Sequence, residues 1–339
     1  MIDLLIAGAG PAGLATALYA HRAGLEVLVL ETRQPPIDKA CGEGLMPAGV
    51  RALTDLKISL HGRPLRGIQF SNHSRTAIAP FSDGTGMGVR RTTLQTAMLH
   101  AVQDAGIEVR RASALPLTQN SSSVSAGGIS ARYLAAADGL HSPIRDRLGM
   151  TLKPAPRRKR WGLRQHYECA PWSDMVQVYW GKRSEAYVTP VADNLVGVAV
   201  LSSDRRSFSD QLADFPQLLE RLPAHAATTT RGAGPLLQRA SGQTAGRILL
   251  VGDAAGYIDA LTGDGISTAV KCAEKLVDCL VLGSPELYEA AYAKSTRDYR
   301  RITHTLLAVA RNPVLRPAIV PAAGVAPAVF RHVVNRLAR

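Results

Sequence analysis

The sequence predicts an α/β fold of two lobes: a parallel sheet covered by helices, an antiparallel sheet inserted into it, and helices at the C-terminus. Three observations carry this. An apolar N-terminal strand runs straight into the glycine-rich turn Gly8-Ala9-Gly10-Pro11-Ala12-Gly13 and a helical stretch. Some 240 residues later a second buried strand, Ile248-Leu249-Leu250-Val251, ends in Gly252-Asp253. Between them, Trp161–Tyr167, Val176–Trp180 and Glu185–Pro190 alternate apolar and polar residues with the period of a half-buried sheet.

The N-terminal unit is a dinucleotide site. Gly8 permits the tight turn, Gly10 lets the backbone approach a pyrophosphate, Gly13 lets helix and strand pack closely, and Pro11 and Ala12 open a helix whose N-terminus faces the phosphates. The second strand, Val27-Leu28-Val29-Leu30, ends on Glu31, followed by Thr32. An acid there accepts both ribose hydroxyls and disfavours a 2′-phosphate, so FAD or NAD fits better than NADP. Strand, turn, helix, strand and acid follow in order within about 30 residues, the context this motif requires.

The late segment decides between the two. Asp253 at its strand end offers a carboxylate to a polyol, and Leu261-Thr262-Gly263-Asp264-Gly265-Ile266 opens a helix whose first N–H groups face an electron-rich ring edge. A flavin has both features, a ribityl chain and the N1/C2=O edge, and NAD has neither. FAD is therefore the expected cofactor.

With a middle segment, Ala137-Asp138-Gly139-Leu140-His141-Ser142-Pro143-Ile144-Arg145, these motifs resemble in order those of the FAD-dependent oxidoreductases that include the group A flavoprotein monooxygenases, of the para-hydroxybenzoate hydroxylase type, and the geranylgeranyl reductases. The resemblance covers residues 1 to about 295. It implies a Rossmann-like FAD-binding lobe of the GR2 type, with Asp253 on the ribityl chain, Asp138 and Gly139 near FAD and nicotinamide, and Arg91, at a helix start, reaching the FAD. A further segment, Lys39-Ala40-Cys41-Gly42-Glu43-Gly44-Leu45-Met46-Pro47, is similar to the Lys-x-Cys-Gly stretch of the geranylgeranyl reductases, which lies beside the isoalloxazine ring. The resemblance thus places Lys39, Cys41 and Gly42, like Gly263, Gly265 and Ile266, around the flavin. Ser267-Thr268 stand where the aromatic hydroxylases usually carry Asn, and Ala260 replaces a common Pro.

Residues 1–58, 88–150 and 246–296 are expected to form the FAD lobe, residues 59–87 and 151–245 the substrate-binding sheet, and residues 297–339 a basic helical segment. A hairpin is expected over Arg63–Ala79, helices from Arg90-Arg91 to about Ala105, over Asp210–Leu222, and from the Leu261–Ile266 opening through Leu280, and amphipathic helical patterns over Ile302–Arg311 and Val329–Leu337. In the substrate lobe, aromatic enrichment suits an apolar or aromatic small molecule. Arg164, His166 and Tyr187 are candidates to orient a phenolate or carboxylate, and Cys41 is a candidate to face the substrate.

Composition agrees with an ordinary soluble enzyme of 339 residues, 46% hydrophobic. No stretch of 18 apolar residues occurs, and the N-terminus lacks a basic leader region, so a signal peptide is not expected. Cys41, Cys169, Cys272 and Cys279 show no disulfide or metal spacing, which suits a reducing cytoplasm, and Cys272 and Cys279 share one helical stripe as packing thiols. There is no HExxH, GxSxG or nucleotide P-loop, and no Trp-x-Trp-x-Ile-Pro segment of the halogenases.

The formal charge of +13 is concentrated: residues 297–339 hold eight Arg against one acid, Asp298, and Lys153, Arg157, Arg158, Lys159 and Arg160 form a second cluster. Without interleaved aromatics or a known module this does not read as nucleic-acid binding. Two readings remain open: peripheral contact with an anionic membrane, and helices packed on the domain with Arg in solvent. The function expected first is FAD-dependent hydroxylation of an apolar or aromatic molecule through a flavin C4a-hydroperoxide, with NADH or NADPH as transient reductant using the flavin cleft itself. The alternatives are reduction of C=C bonds in an isoprenoid or polyketide chain, and a non-catalytic flavin- or intermediate-binding protein.

Overall fold

The computed structural model describes residues 1–153 and 159–338. Ile2–Ala7 forms the centre of the main sheet because all its inner residues are apolar. Leu4, Leu5 and Ile6 have no exposed surface, each contributing roughly 1.5–3 kcal/mol of burial. It pairs in parallel with Val27–Glu31 on one side and Ile129–Ala136 on the other. Glu108–Arg111 and Ile248–Leu250 extend the parallel set outward. Thr244–Ala245 closes one edge antiparallel. Helices α1 (Pro11–Arg22), α2 (Arg91–Asp104) and α3 (Gly265–Val281) cover this sheet.

The second sheet has seven strands in the order Arg231–Ala233, Trp161–Glu168, Leu195–Ser202, Ser184–Ala192, Val176–Trp180, Gly67–Ser71 and Thr76–Pro80. The hairpin of residues 67–80 thus joins the strands of residues 161–202 despite lying almost a hundred residues earlier. One junction corrects the antiparallel expectation: Val176–Trp180 runs parallel to Gly67–Ser71. The helix expected over Asp210–Leu222 is two short pieces, Phe208–Leu212 and Pro216–Leu219. Pro216 has no N–H to continue the first piece, and it opens the second instead.

The C-terminal segment does not begin at residue 297. Helix α4 runs unbroken from Tyr288 to Arg311, through the expected boundary. It is followed by α5 (Ile319–Val325) and α6 (Pro327–Ala338), which meet at 104°. Asn335 holds α6 to the second sheet, its Oδ1 accepting from the Ser82 N–H at 2.7 Å and its amide donating to Pro80 O at 3.0 Å. Arg160, from the expected basic cluster, is buried and ion-paired with Glu185 and Asp259 rather than presented to solvent. Arg157 and Arg158 of that cluster lie outside the described residues. Cys272 and Cys279 are buried along α3. Among the described residues no single helix is long and apolar enough to cross a membrane.

Candidate functional site

The glycine-rich turn is shaped by two close approaches. Gly8 has φ +110°, and a Cβ there would fall 2.4 Å from Ala137 O; a Cβ on Gly13 would fall 1.9 Å from Gly8 O. Only glycine lets the first strand, the turn and α1 meet so tightly. Gly10, Pro11 and Ala12 then line a cavity of about 700 Å³. At its edge Glu31 Oε2 accepts the Ala9 N–H at 2.9 Å, while Oε1 accepts the N–H and Nε of Arg33 at 2.9 and 3.0 Å. Burial pushes the Glu31 carboxyl up, but these hydrogen bonds outweigh it and hold the group below the usual range. Thr32 is exposed at the strand end, its hydroxyl turned to Glu31.

Three charged side chains converge on the same end of the cavity. Arg91 is buried at the start of α2, Nη2 beside Gly10, and Nη1 has no hydrogen-bond partner. An unpartnered buried guanidinium nitrogen beside a helix N-terminus suits a phosphate. Lys39 Nζ would lie 2.8 Å from a Cβ on Gly139, and burial lowers its pKa. The Asp253 carboxyl is pushed up by burial, opposed by Lys39, Arg91 and Arg145, and among the described residues accepts no hydrogen bond. Gly252, Gly263, Gly265 and Ile266 continue the wall on this side.

Asp138 serves the fold at least in part. Its Oδ2 accepts the Ile144 N–H at 3.0 Å, Oδ1 is a buried orphan, and burial raises its pKa. Gly139, not Asp138, lines the cavity. Arg145, to which sequence reasoning gave no role, ties the middle and late motifs together. It is 1% exposed, and its guanidinium donates to Leu140 O, Gln238 Oε1, Asp253 O and Ala254 O at 3.0–3.3 Å. Its place five residues after Leu140, in the Ser-Pro helix start, is the only sequence signal.

The four residues expected to act on substrate part company. Cys41 lines the cavity as a free thiol, raised in pKa by burial, and its sulfur accepts the Glu43 N–H at 3.3 Å. Tyr187 also lines it, but its hydroxyl donates to Leu261 O at 3.0 Å and so braces the loop before α3. His166 has no exposed surface and does not reach the cavity. Its Nε2 meets Glu43 Oε2 at 2.7 Å, and its Nδ1 meets Arg164 Nη1 at 3.1 Å. Arginine only donates, so Nδ1 accepts and the Nε2–H donates to Glu43. Arg164 touches the cavity wall yet is 1% exposed, its guanidinium bound to Asp38, Lys39 O and His166. His166 and Arg164 both brace the Lys39–Pro47 segment; Arg164 lines the cavity and His166 does not. Tyr167 faces the opposite, helix-covered side of the sheet.

Beyond the charged end, the same cavity becomes apolar. Leu65, Ile68, Phe70, Val178 and Leu201 of the sheet lobe form one wall, and Leu306, Val309, Ile319, Phe330 and Val333 of α4–α6 form a roof. The apolar face of the C-terminal helices thus points into the cavity, a role that their amphipathic pattern alone did not assign. The loop before α3 is wired to this roof: Tyr299 OH donates to Asp259 O at 3.2 Å, and the Thr262 and Thr303 hydroxyls are 3.1 Å apart.

The glycine cradle and the orphan Arg91 nitrogen suit phosphates, and the unpartnered Asp253 carboxylate suits a polyol hydroxyl, so the residues present fit FAD. The profile of the FAD binding domain family matches residues 1–285. The menaquinone reductase of Mycobacterium tuberculosis is 26% identical over 349 residues, covering 88% of this chain and 83% of that protein. The rifampicin monooxygenase of Rhodococcus hoagii is 24% identical over 303 residues, covering 81% and 63%. A flavoprotein/dehydrogenase from Cytophaga hutchinsonii superposes with a TM-score of 0.86 at 17% identity, over 99% of this chain and 92% of that one. With residues 1–285 inside the family profile and the cradle intact, the chain belongs to the FAD binding domain family and is an FAD-dependent oxidoreductase.

Proposed function

We propose that the enzyme reduces a carbon–carbon double bond in a long apolar substrate of isoprenoid or polyketide type, with NADH or NADPH as electron donor. The observation that carries this is Cys41, a protonated thiol where the charged and apolar parts of one cavity meet. The bound flavin, once reduced, supplies a hydride equivalent or, with dioxygen, an oxygen atom. Addition of a hydride to one carbon of the double bond requires a proton on the other, and in this reading the Cys41 thiol, which lines the cavity, gives it. Arg91 and the α1 N-terminus take the pyrophosphate charge, Asp253 accepts a ribityl hydroxyl, and the first N–H groups of α3 receive charge at the ring edge. The groups that could take a proton from a phenol are engaged elsewhere: Glu43 and His166 with each other, Tyr187 with Leu261 O.

Hydroxylation of the same substrate is the second reading. The roof of α4–α6 favours it, because an oxygen-transfer site must exclude water. Turnover of a prenylated or polyketide test substrate with and without dioxygen separates the two. Product formed anaerobically, two hydrogens heavier, supports reduction. Product formed only with dioxygen, carrying its oxygen label, overturns it in favour of hydroxylation.

A further inference from the structure

The mouth of the cavity is a lip that a water-facing protein has no reason to build. From Pro317 to Phe330 no residue carries a polar side chain. Most of this stretch is nevertheless exposed, with Val325 at 81% and Val329 at 63%. Of the residues that both line the cavity and are exposed, Gly42 and Gly263 sit at its charged end, and the rest ring its apolar end: Arg301 and Thr305 on α4, Ala322 on α5, Ala326 at the bend, and Val329 on α6. At the apolar end the cavity therefore opens between α4 and the apolar stretch. A contiguous exposed apolar patch marks an interaction site.

The charge around the lip says what covers it. From Tyr299 to the C-terminus there is no acidic residue. Arg316 and Arg336 are spent on Glu185 and Asp298. Arg301, at the mouth, and Arg331, next to Phe330 on α6, are exposed and form no salt bridge among the described residues, Arg301 acting on Asp298 only at longer range. Bent apolar helices with arginines at their edges match an anionic lipid surface, where the apolar tips enter the acyl boundary and the guanidinium groups meet headgroup phosphates. We propose that this lip docks on an anionic bilayer, so that the cavity opens towards the acyl chains and takes its apolar substrate from them. The proposal deepens, and rests on, the reading of the cavity as one for a long apolar molecule.

The test is co-sedimentation of the FAD-loaded protein with phosphatidylcholine vesicles, with and without phosphatidylglycerol. Binding is expected only when phosphatidylglycerol is present, and it should fall as salt is raised. Val325→Asp and, separately, Arg331→Glu should each weaken binding about tenfold. Neither residue lines the cavity, so FAD content, thermal transition and turnover of a short water-soluble substrate analogue should be unchanged. Sedimentation independent of phosphatidylglycerol, no sedimentation, or variants that bind like the parent would overturn the proposal. So would a concentration-dependent dimer dissolved by Val325→Asp, since a second copy would then be the occupant. If vesicles bind but no double bond is reduced, the reduction reading fails alone. If the soluble analogue is reduced but vesicles do not bind, only the docking fails.

Discussion

His166 Nε2 lies 2.7 Å from Glu43 Oε2, a buried contact spanning 123 residues that fastens the inserted sheet to the segment carrying Lys39 and Cys41. Glu43 also accepts the Arg91 N–H at 2.9 Å, so one carboxylate joins the sheet, the Lys39–Pro47 segment and α2. Replacing His166 by Ala strands that carboxylate, at a cost of roughly 1–3 kcal/mol. The expected result is a lower thermal transition and faster loss of FAD, with little change in the rate of the FAD-saturated enzyme.

Arg91→Ala removes the buried cation beside the glycine-rich turn. Loss of charge-assisted hydrogen bonds worth about 1.5–3 kcal/mol should weaken FAD binding some 10- to 100-fold. Fluorescence titration of the apoprotein with FAD measures this, and an unchanged affinity would place the phosphates elsewhere.

Cys41→Ser keeps the size of the side chain but raises the barrier to proton donation. FAD content should hold, while turnover falls by about 100-fold or more if the thiol is the proton donor. A solvent isotope effect larger in the variant than in the parent would place the loss at the proton-transfer step. An unchanged rate would remove the thiol from the chemistry.

Asp264, at the start of α3, is pushed up to about 7 by burial, against hydrogen bonds from Thr268 and Ser267. In the unfolded chain it titrates near 3.8. Between those values the folded state holds the extra proton, so the contribution of this group to stability is fully present at low pH and is lost as pH rises towards neutrality. Asp264→Asn should flatten this slope and raise the thermal transition above neutral pH, with little effect near pH ~4.

Arg316, between α4 and α5, forms an ion pair with Glu185 Oε1 at 2.7 Å, donates to Ala310 O and Ser184 O, and stacks over Trp180. Arg316→Ala leaves Glu185 with less compensation and should cost about 3–5 kcal/mol. Partial protease digestion should then release the C-terminal helices before the FAD lobe.

What could be read from the sequence is what is local in it. Gly8 to Gly13, Glu31, Gly252-Asp253 and Gly263 to Ile266 are contiguous patterns, each placed by the turn or helix start it sits in. What could not be read depends on pairings across the chain. Arg164 and His166 share one side of a strand by alternation, but a period of two does not say which face is the cavity. The strand puts them beneath the Lys39–Pro47 segment, where Asp38 and Glu43 bind them. Arg145 looked like any basic residue in a short helix, although it bridges two motifs 108 residues apart. The amphipathic pattern of α4 and α6 showed an apolar stripe without showing that the stripe roofs a cavity.

The division of labour along the chain follows from that roof. The family profile ends at residue 285, and the helices over the cavity come after it. Substitutions on the cavity face of α5 and α6, clear of the Tyr299, Thr303 and Arg316 anchors, should thus reshape the apolar end while leaving the residues of the glycine cradle in place.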